Sequence, residues 1–152
     1  LATTKINYGV LGFDLGINSG FCFKDSKGED SGTLTLPKED RLDYFYKNID
    51  RLFETYSPTA FTYGKPNIFG KNRYNVVALH FKLAAMIELF CERRQVYCIP
   101  IGDSEARKIV FERKITKKEA HKETGIESAD EADSIILARA MYIKIFNANL
   151  PT

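Results

Sequence analysis

Asp14 is the first residue whose setting calls for chemistry. It is the one acid in the apolar run Tyr8-Gly-Val-Leu-Gly-Phe-Asp14-Leu. A carboxylate among apolar neighbours is costly unless something pairs with it, and a divalent metal ion is one such partner. The other reading is a turn aspartate capping a loop, because Gly16 and Gly20 follow and suggest a tight hairpin. Far along the chain, Ser128-Ala-Asp130-Glu131-Ala-Asp133 holds two more acids three residues apart. On a helix that spacing puts Asp130 and Asp133 on one face and sends Glu131 elsewhere. The helix N-terminus partly offsets their charge, and an acidic first turn that only complements the helix dipole has the same pattern.

Positive charge is concentrated in two stretches. Residues 64–82 carry Lys65, Lys71, Arg73 and Lys82 and no acid. Residues 107–122 carry Arg107, Lys108, Arg113, Lys114, Lys117, Lys118 and Lys122 against Glu112 and Glu119. In a chain of net charge +2, two such stretches suggest surfaces for a polyanion such as nucleic acid, or two solvated lysine-rich faces.

The elements that must position these residues follow from periodicity. Residues 6–15, 21–24 and 33–36 read as three strands of an antiparallel meander, with a turn at Asp25-Ser-Lys-Gly28. Apolar residues at 42, 45, 46, 49, 52 and 53 predict a helix from Lys38 to Tyr56, which Ser57-Pro58 ends. Residues 60–63 form a fourth strand, 73–93 a long amphipathic helix and 96–100 a fifth strand. Asp103 reads as the cap of a further helix. The basic segment 113–124 holds a short helix, and the last helix runs from Ser128 to about Phe146. The order β-β-β-α-β-α-β-α-α calls for an α/β fold: a mixed five-stranded sheet with helices on both faces.

The chain has 152 residues, 44% of them hydrophobic, which is enough for one folded domain over residues 1–152. It has no uninterrupted apolar run long enough to suggest a membrane span, and Leu1–Lys5 lacks a secretory pattern. Cys22, Cys91 and Cys98 have no metal-binding spacing and read as reduced core residues of a cytoplasmic protein, although a Cys91–Cys98 disulfide stays open.

Four stretches together resemble the RuvC family of Holliday junction resolvases, which has an RNase H-like fold. They are Gly12-Phe-Asp14-Leu-Gly16-Ile-Asn-Ser-Gly20, Tyr63-Gly64-Lys65-Pro66-Asn67, Ala120-His-Lys122 and Asp130-Glu-Ala-Asp133. The resemblance covers nearly the whole chain. It implies a homodimeric endonuclease that resolves four-way junctions and forks in DNA with two Mg²⁺ ions, which Mn²⁺ can replace, held about 4 Å apart. Asp14 would bridge the ions, Asp130 and Asp133 would complete their shell, and Lys122 would assist at the scissile phosphate. Lys65, Asn67, Phe69, Lys71, Arg73, Lys108, Arg113, Lys114, Lys117 and Lys118 would contact DNA. Phe69 would sit near the junction centre unless it is an ordinary core residue, and the helix 73–93 would form the dimer surface.

Three departures bear on activity. Gly64 stands where the family has a metal-binding glutamate, Lys117 and Glu119 stand where it commonly has glycine, and only seven residues separate Lys122 from Asp130. They point to a compact phage- or virus-type member with little sequence preference, working in a bacterial or phage-infected cell. Two other readings remain. One is a branched-DNA-binding protein that does not cut. The other is an actin-like ATPase fragment, whose phosphate loop residues 14–20 approach but whose second domain is missing. From Gly64 alone, the protein is expected to bind junctions and cut them poorly. Gly64→Glu should then cut in Mg²⁺, as a nicking assay comparing the two forms at equal junction binding would show.

Overall fold

The computed structural model describes residues 8–67 and 74–148. The expected strand at residues 6–15 appears as β1 (Val10–Asp14), and its side chains alternate between the two faces of a sheet. Leu11 and Phe13 enter one apolar core, and Val10 enters the other. The same alternation puts Gly12 and Asp14 on the Val10 side.

Around β1, β2 (Asn18–Asp25) and β3 (Gly28–Thr35) form an antiparallel meander. β4 (Ala60–Gly64) and β5 (Tyr97–Ile101) lie parallel to β1 on its other side. The sheet order is β3-β2-β1-β4-β5, the mixed α/β sheet that the element order requires. β2 and β3 are longer than their apolar residues suggest. Their extra length is polar and half-exposed, so the backbone ladder reveals it and hydrophobic periodicity does not. The turn joining them is held by Asp25, whose Oδ1 accepts from the Lys27 and Gly28 amides.

Helices α1 (Arg41–Tyr56) and α2 (Tyr74–Arg94) cover one face. They bury Phe45, Ile49, Leu83, Ile87 and Phe90 against Leu11, Phe13 and Phe61. α1 starts at Arg41 and not Lys38 because Asp40 adopts a left-handed conformation, φ 53°. By length and composition α2 is apolar enough to cross a membrane, but its inner face is packed on the sheet and its outer face exposes Val76, Phe81 and Leu89. Helices α3 (Asp103–Phe111), α4 (Lys117–Thr124) and α5 (Ala129–Ala148) cover the opposite face. Phe69, Lys71 and Arg73 lie outside the described residues.

α5 lies on β1 and β2 so closely that two strand positions have no room for a side chain. A Cβ on Gly12 would stand 2.9 Å from the backbone nitrogen of Ala138. One on Gly20 would stand 2.0 Å from the carbonyl oxygen of Asp130. Gly20 does not have positive φ, so its role is this close approach and not the turn expected of it. Ser19 holds the turn instead: its Oγ accepts from the Gly16 amide at 3.1 Å and donates to the Gly16 carbonyl at 2.7 Å.

Backbone cannot yield as a flexible side chain can, so Gly20→Ala must push the first turn of α5 away from the sheet. A loss of about 2–3 kcal/mol is expected, at the upper end for overpacking, and urea unfolding monitored by circular dichroism measures it. An alanine form as stable as wild type would contradict so close a contact.

Candidate functional site

Asp14 ends β1 on the α5 face, directly opposite Gly20 of β2. Because Gly20 has no side chain, the first turn of α5 reaches this point and Asp130 comes to Asp14, the two carboxyls sharing a hydrogen bond. Asp133, one helical turn on, is buried nearby. Glu131 points away, accepting from Ser31 Oγ of β3 at 2.8 Å. On the other side of β1, the last parallel pair is Phe13 with Tyr63, so Gly64 lies beside Asp14 one step further. Gly64 pairs with Ile101, and two residues later stands Asp103. Its Oδ1 would be 3.0 Å from a Cβ on Gly64. Four carboxyls thus gather at the C-terminal ends of three neighbouring parallel strands, where open α/β sheets bind ligands.

Sequence reasoning read Asp103 as a helix cap. In the structure the cap is Gly102, and Asp103 is the first helical residue with no capping bond to make. Asp103 is open to solvent as a residue, but its Oδ1 turns inward toward Gly64. Counting the β4–β5 register two residues past Ile101 is the signal that would have found it.

α4 supplies the positive charge. Thr116 Oγ1 caps it by accepting from the Glu119 amide, and Ala120 anchors its buried side. Lys117 Nζ then lies 3.2 Å from Asp133 Oδ2, and His121 Nε2 lies 2.6 Å from Asp133 Oδ1. The lysine at the acids is therefore Lys117 and not Lys122. Lys122 follows His121, so it projects about 100° further round the helix, and it is exposed. On α2, His80 Nε2–H donates to the Gly64 carbonyl at 2.8 Å, which fixes the end of β4. Neither His80 nor Lys117 stood out in the sequence as a neighbour of the acids.

Burial, then the charges of Asp133, Asp103 and Asp130, push the Asp14 carboxyl up to about 8. Burial also raises Asp103, with Asp133 adding and Lys117 opposing. Burial alone would lower Lys117, but Asp133, Asp103 and Asp14 together hold it above the ordinary lysine value. Among the described residues, no three acids, histidines or cysteines already form a closed metal cage. The donor chemistry does fit a hard divalent cation: the oxygens belong to carboxyls that repel one another, and an ammonium group already sits on Asp133.

The other basic candidates lie around this edge. Lys65 and Asn67 are exposed just beyond β4. Lys108 is exposed on α3, Arg113 and Lys114 lead into α4, and Lys118 is exposed on α4 itself.

Three antiparallel strands continued by parallel β4 and β5, with a helix carrying acids across β1, define an RNase H-like fold. Among solved structures, the fold is that of RuvC. Thermus thermophilus RuvC in complex with a Holliday junction substrate superposes with a TM-score of 0.74 at 13% identity, covering 93% of this chain and 96% of that one. A further Thermus thermophilus RuvC structure gives 0.71 at 13% identity, covering 92% and 96%. The yeast mitochondrial Holliday junction resolvase Ydc2 gives 0.53 at 15% identity, covering 91% and 83%. No protein-family model matches the sequence, and no curated protein matches it.

The raised Asp14 value has a signed consequence for the metal-free protein. A carboxyl that titrates near 8 when folded and near 3.8 when unfolded contributes stability that is complete below pH 3.8 and lost as pH rises through 8. Asp14→Asn, which removes this loss, should gain about 2–4 kcal/mol over wild type between pH 5 and pH 8. Urea unfolding at the two pH values in EDTA checks it, and a pH-independent difference would refute the assignment.

Proposed function

We propose that this protein is a divalent-metal-dependent, structure-specific endonuclease that hydrolyses phosphodiester bonds in branched DNA, four-way junctions above all. The observation that carries the reading is the carboxyl cluster of Asp14, Asp130 and Asp133 at the strand ends of a RuvC-like sheet, with exposed basic residues around it. Asp14, Asp130 and Asp133 would hold Mg²⁺, or Mn²⁺ in its place. A bound ion of this kind supplies a water activated at neutral pH and charge stabilisation for the leaving 3′ oxygen. Water adds to phosphorus, the P–O3′ bond breaks, and a 5′-phosphate and a 3′-hydroxyl result.

This chain's own residues do the rest. Lys117 is the cation on the acid cluster and takes the role first expected of Lys122, contacting the scissile phosphate. His121 holds Asp133 from the other side and fixes its orientation. Lys65, Asn67, Lys108, Arg113, Lys114 and Lys118 meet the DNA backbone, so binding is expected to be salt-sensitive. The exposed apolar residues of α2 suit a homodimer, which would let two sites act on two strands. The free Cys22, Cys91 and Cys98 suit a reducing cytoplasm.

A second reading is favoured by one contact. Both oxygens of Asp133 are engaged, by Lys117 and His121, as they would be in a junction-binding protein that does not cut.

A nicking assay on a four-way junction in Mg²⁺ separates the two. The nuclease reading expects cleavage that Asp14→Asn abolishes while junction binding persists. Lys117→Ala should slow cleavage about 10²-fold with little change in binding, the scale for losing one transition-state contact, and Lys122→Ala should change neither appreciably. Affinity should fall by about 10³-fold between 50 and 200 mM salt. Tight, salt-sensitive binding without cleavage by the wild-type chain would establish the second reading.

A further inference from the structure

Position 64 is where the resemblance calls for a glutamate and this chain has none. Alternation along β4 sends Ala60 into the α5-side core and Phe61 into the opposite one, so position 64 faces the α5 side, beside Asp14. That space is already in use. The first atom of any side chain there would meet Asp103 Oδ1 at 3.0 Å and Leu137 Cδ1 at 3.5 Å. A carboxyl oxygen from the adjacent strand end therefore stands where a residue-64 side chain would begin.

The local structure explains how Asp103 gets there. β5 runs parallel to β4 in a register that ends with Gly64 beside Ile101, and the Lys65 amide extends the ladder to the Ile101 carbonyl at 3.0 Å. Gly102, in extended conformation, turns the chain into α3 and leaves the Asp103 carboxyl free of capping. A second observation points to a cation at this place. The Lys117 ammonium pairs with Asp133 at 3.2 Å and is close enough to Asp103 and Asp14 to be held charged by all three.

We infer that Asp103 is the fourth carboxylate of the cation site and replaces, from β5, the oxygen that Gly64 cannot supply from β4. Gly64 is then the residue that leaves room for Asp103, and a glutamate at 64 and the Asp103 carboxyl compete for one space. This deepens the metal-dependent reading and rests on it. It also reverses the expectation drawn from Gly64 alone: the chain as it stands has a complete set of acids, and Gly64→Glu by itself brings no gain.

The test is Mn²⁺ binding to the full chain without DNA, by calorimetry at fixed pH. Four forms are compared: wild type, Asp103→Asn, Gly64→Glu, and the double variant Gly64→Glu with Asp103→Asn. Asp103→Asn should weaken Mn²⁺ binding about tenfold or more, by the scale on which groups supporting a metal act, and Asp103→Ser should do the same. The double variant should return to within about threefold of wild type, because the oxygen is restored from the other strand. Asp43→Asn, on the exposed side of α1, is the control and should change nothing. Melting in EDTA confirms that each form is folded. Mn²⁺ binding that is unchanged in folded Asp103→Asn overturns the inference and leaves the metal reading standing. So does a folded double variant as weak as Asp103→Asn. A wild-type chain that binds no Mn²⁺ overturns both.

Discussion

The contact between the first turn of α5 and β2 at Gly20 is the constraint on which the site depends. Asp14 is fixed by β1, and nothing in β1 alone brings another acid to it. The Asp130 carbonyl lies where a side chain on residue 20 would begin, so the helix start is as near the sheet as backbone allows. Ala138, two turns further, makes the same kind of approach over Gly12. These two contacts set the height and direction of α5 across β1. The faces of α5 that carry Ala132, Ile136 and Ala140 are buried as a result. The acids meet because apolar packing holds them together, against their own repulsion. Burial is the first cause of the raised Asp14 value, and the neighbouring charges add to it.

Much of this was legible in the sequence, for particular physical reasons. Period-two alternation in Val10–Asp14 and period-3.6 spacing in α1 and α5 are strong signals, because burial enforces them. The isolated acid in β1 and the acid pair in α5 stood out because charge in an apolar setting is costly. Other features left no such trace. A glycine required by a neighbouring helix reads like a glycine required by a turn, and Gly20 was taken for the second. A first-turn aspartate reads like a cap, and only strand register shows that Asp103 faces Gly64. Lys117 and Lys122 both lie in a run of basic residues, and helical phase alone decides which one meets Asp133. That phase is set by Thr116 as the cap and Ala120 as the buried anchor, neither of which is conspicuous.

The same packing logic assigns the two faces of the sheet different work. The α1–α2 face is aromatic and closely locked, with Phe13, Phe45, Phe61 and Phe90 meeting ring to ring. It carries no group of the site except His80, which acts on the backbone at Gly64. The α5 face is built from small and aliphatic residues such as Ala106, Ala120, Ala132, Ala138 and Ala140. Small residues let helices approach the strand ends, and the functional side chains all project from that side. Stability and chemistry are thereby divided between the faces, and a substitution in one core need not disturb the other.

α4 joins the acid cluster to the basic segment, and the way it is held matters. Ala120 is the one fully buried side chain in its eight residues, with Ile115 buried just ahead of it. Two of its polar contacts to α5 run to Asp133, from Lys117 and His121. A helix with so little apolar anchorage owes a large part of its position to that carboxylate. Any cation that takes oxygens of Asp133 competes with Lys117 and so loosens the end of α4 that Lys117 begins. Lys117, Lys118 and the preceding Arg113 and Lys114 then shift as a group, because one short segment carries them all. Charge at the acids and the position of the basic segment are thus linked through a single side chain. In the absence of a bound cation Lys117 neutralises part of the cluster. Once a cation takes that role, the lysine is released to meet a phosphate.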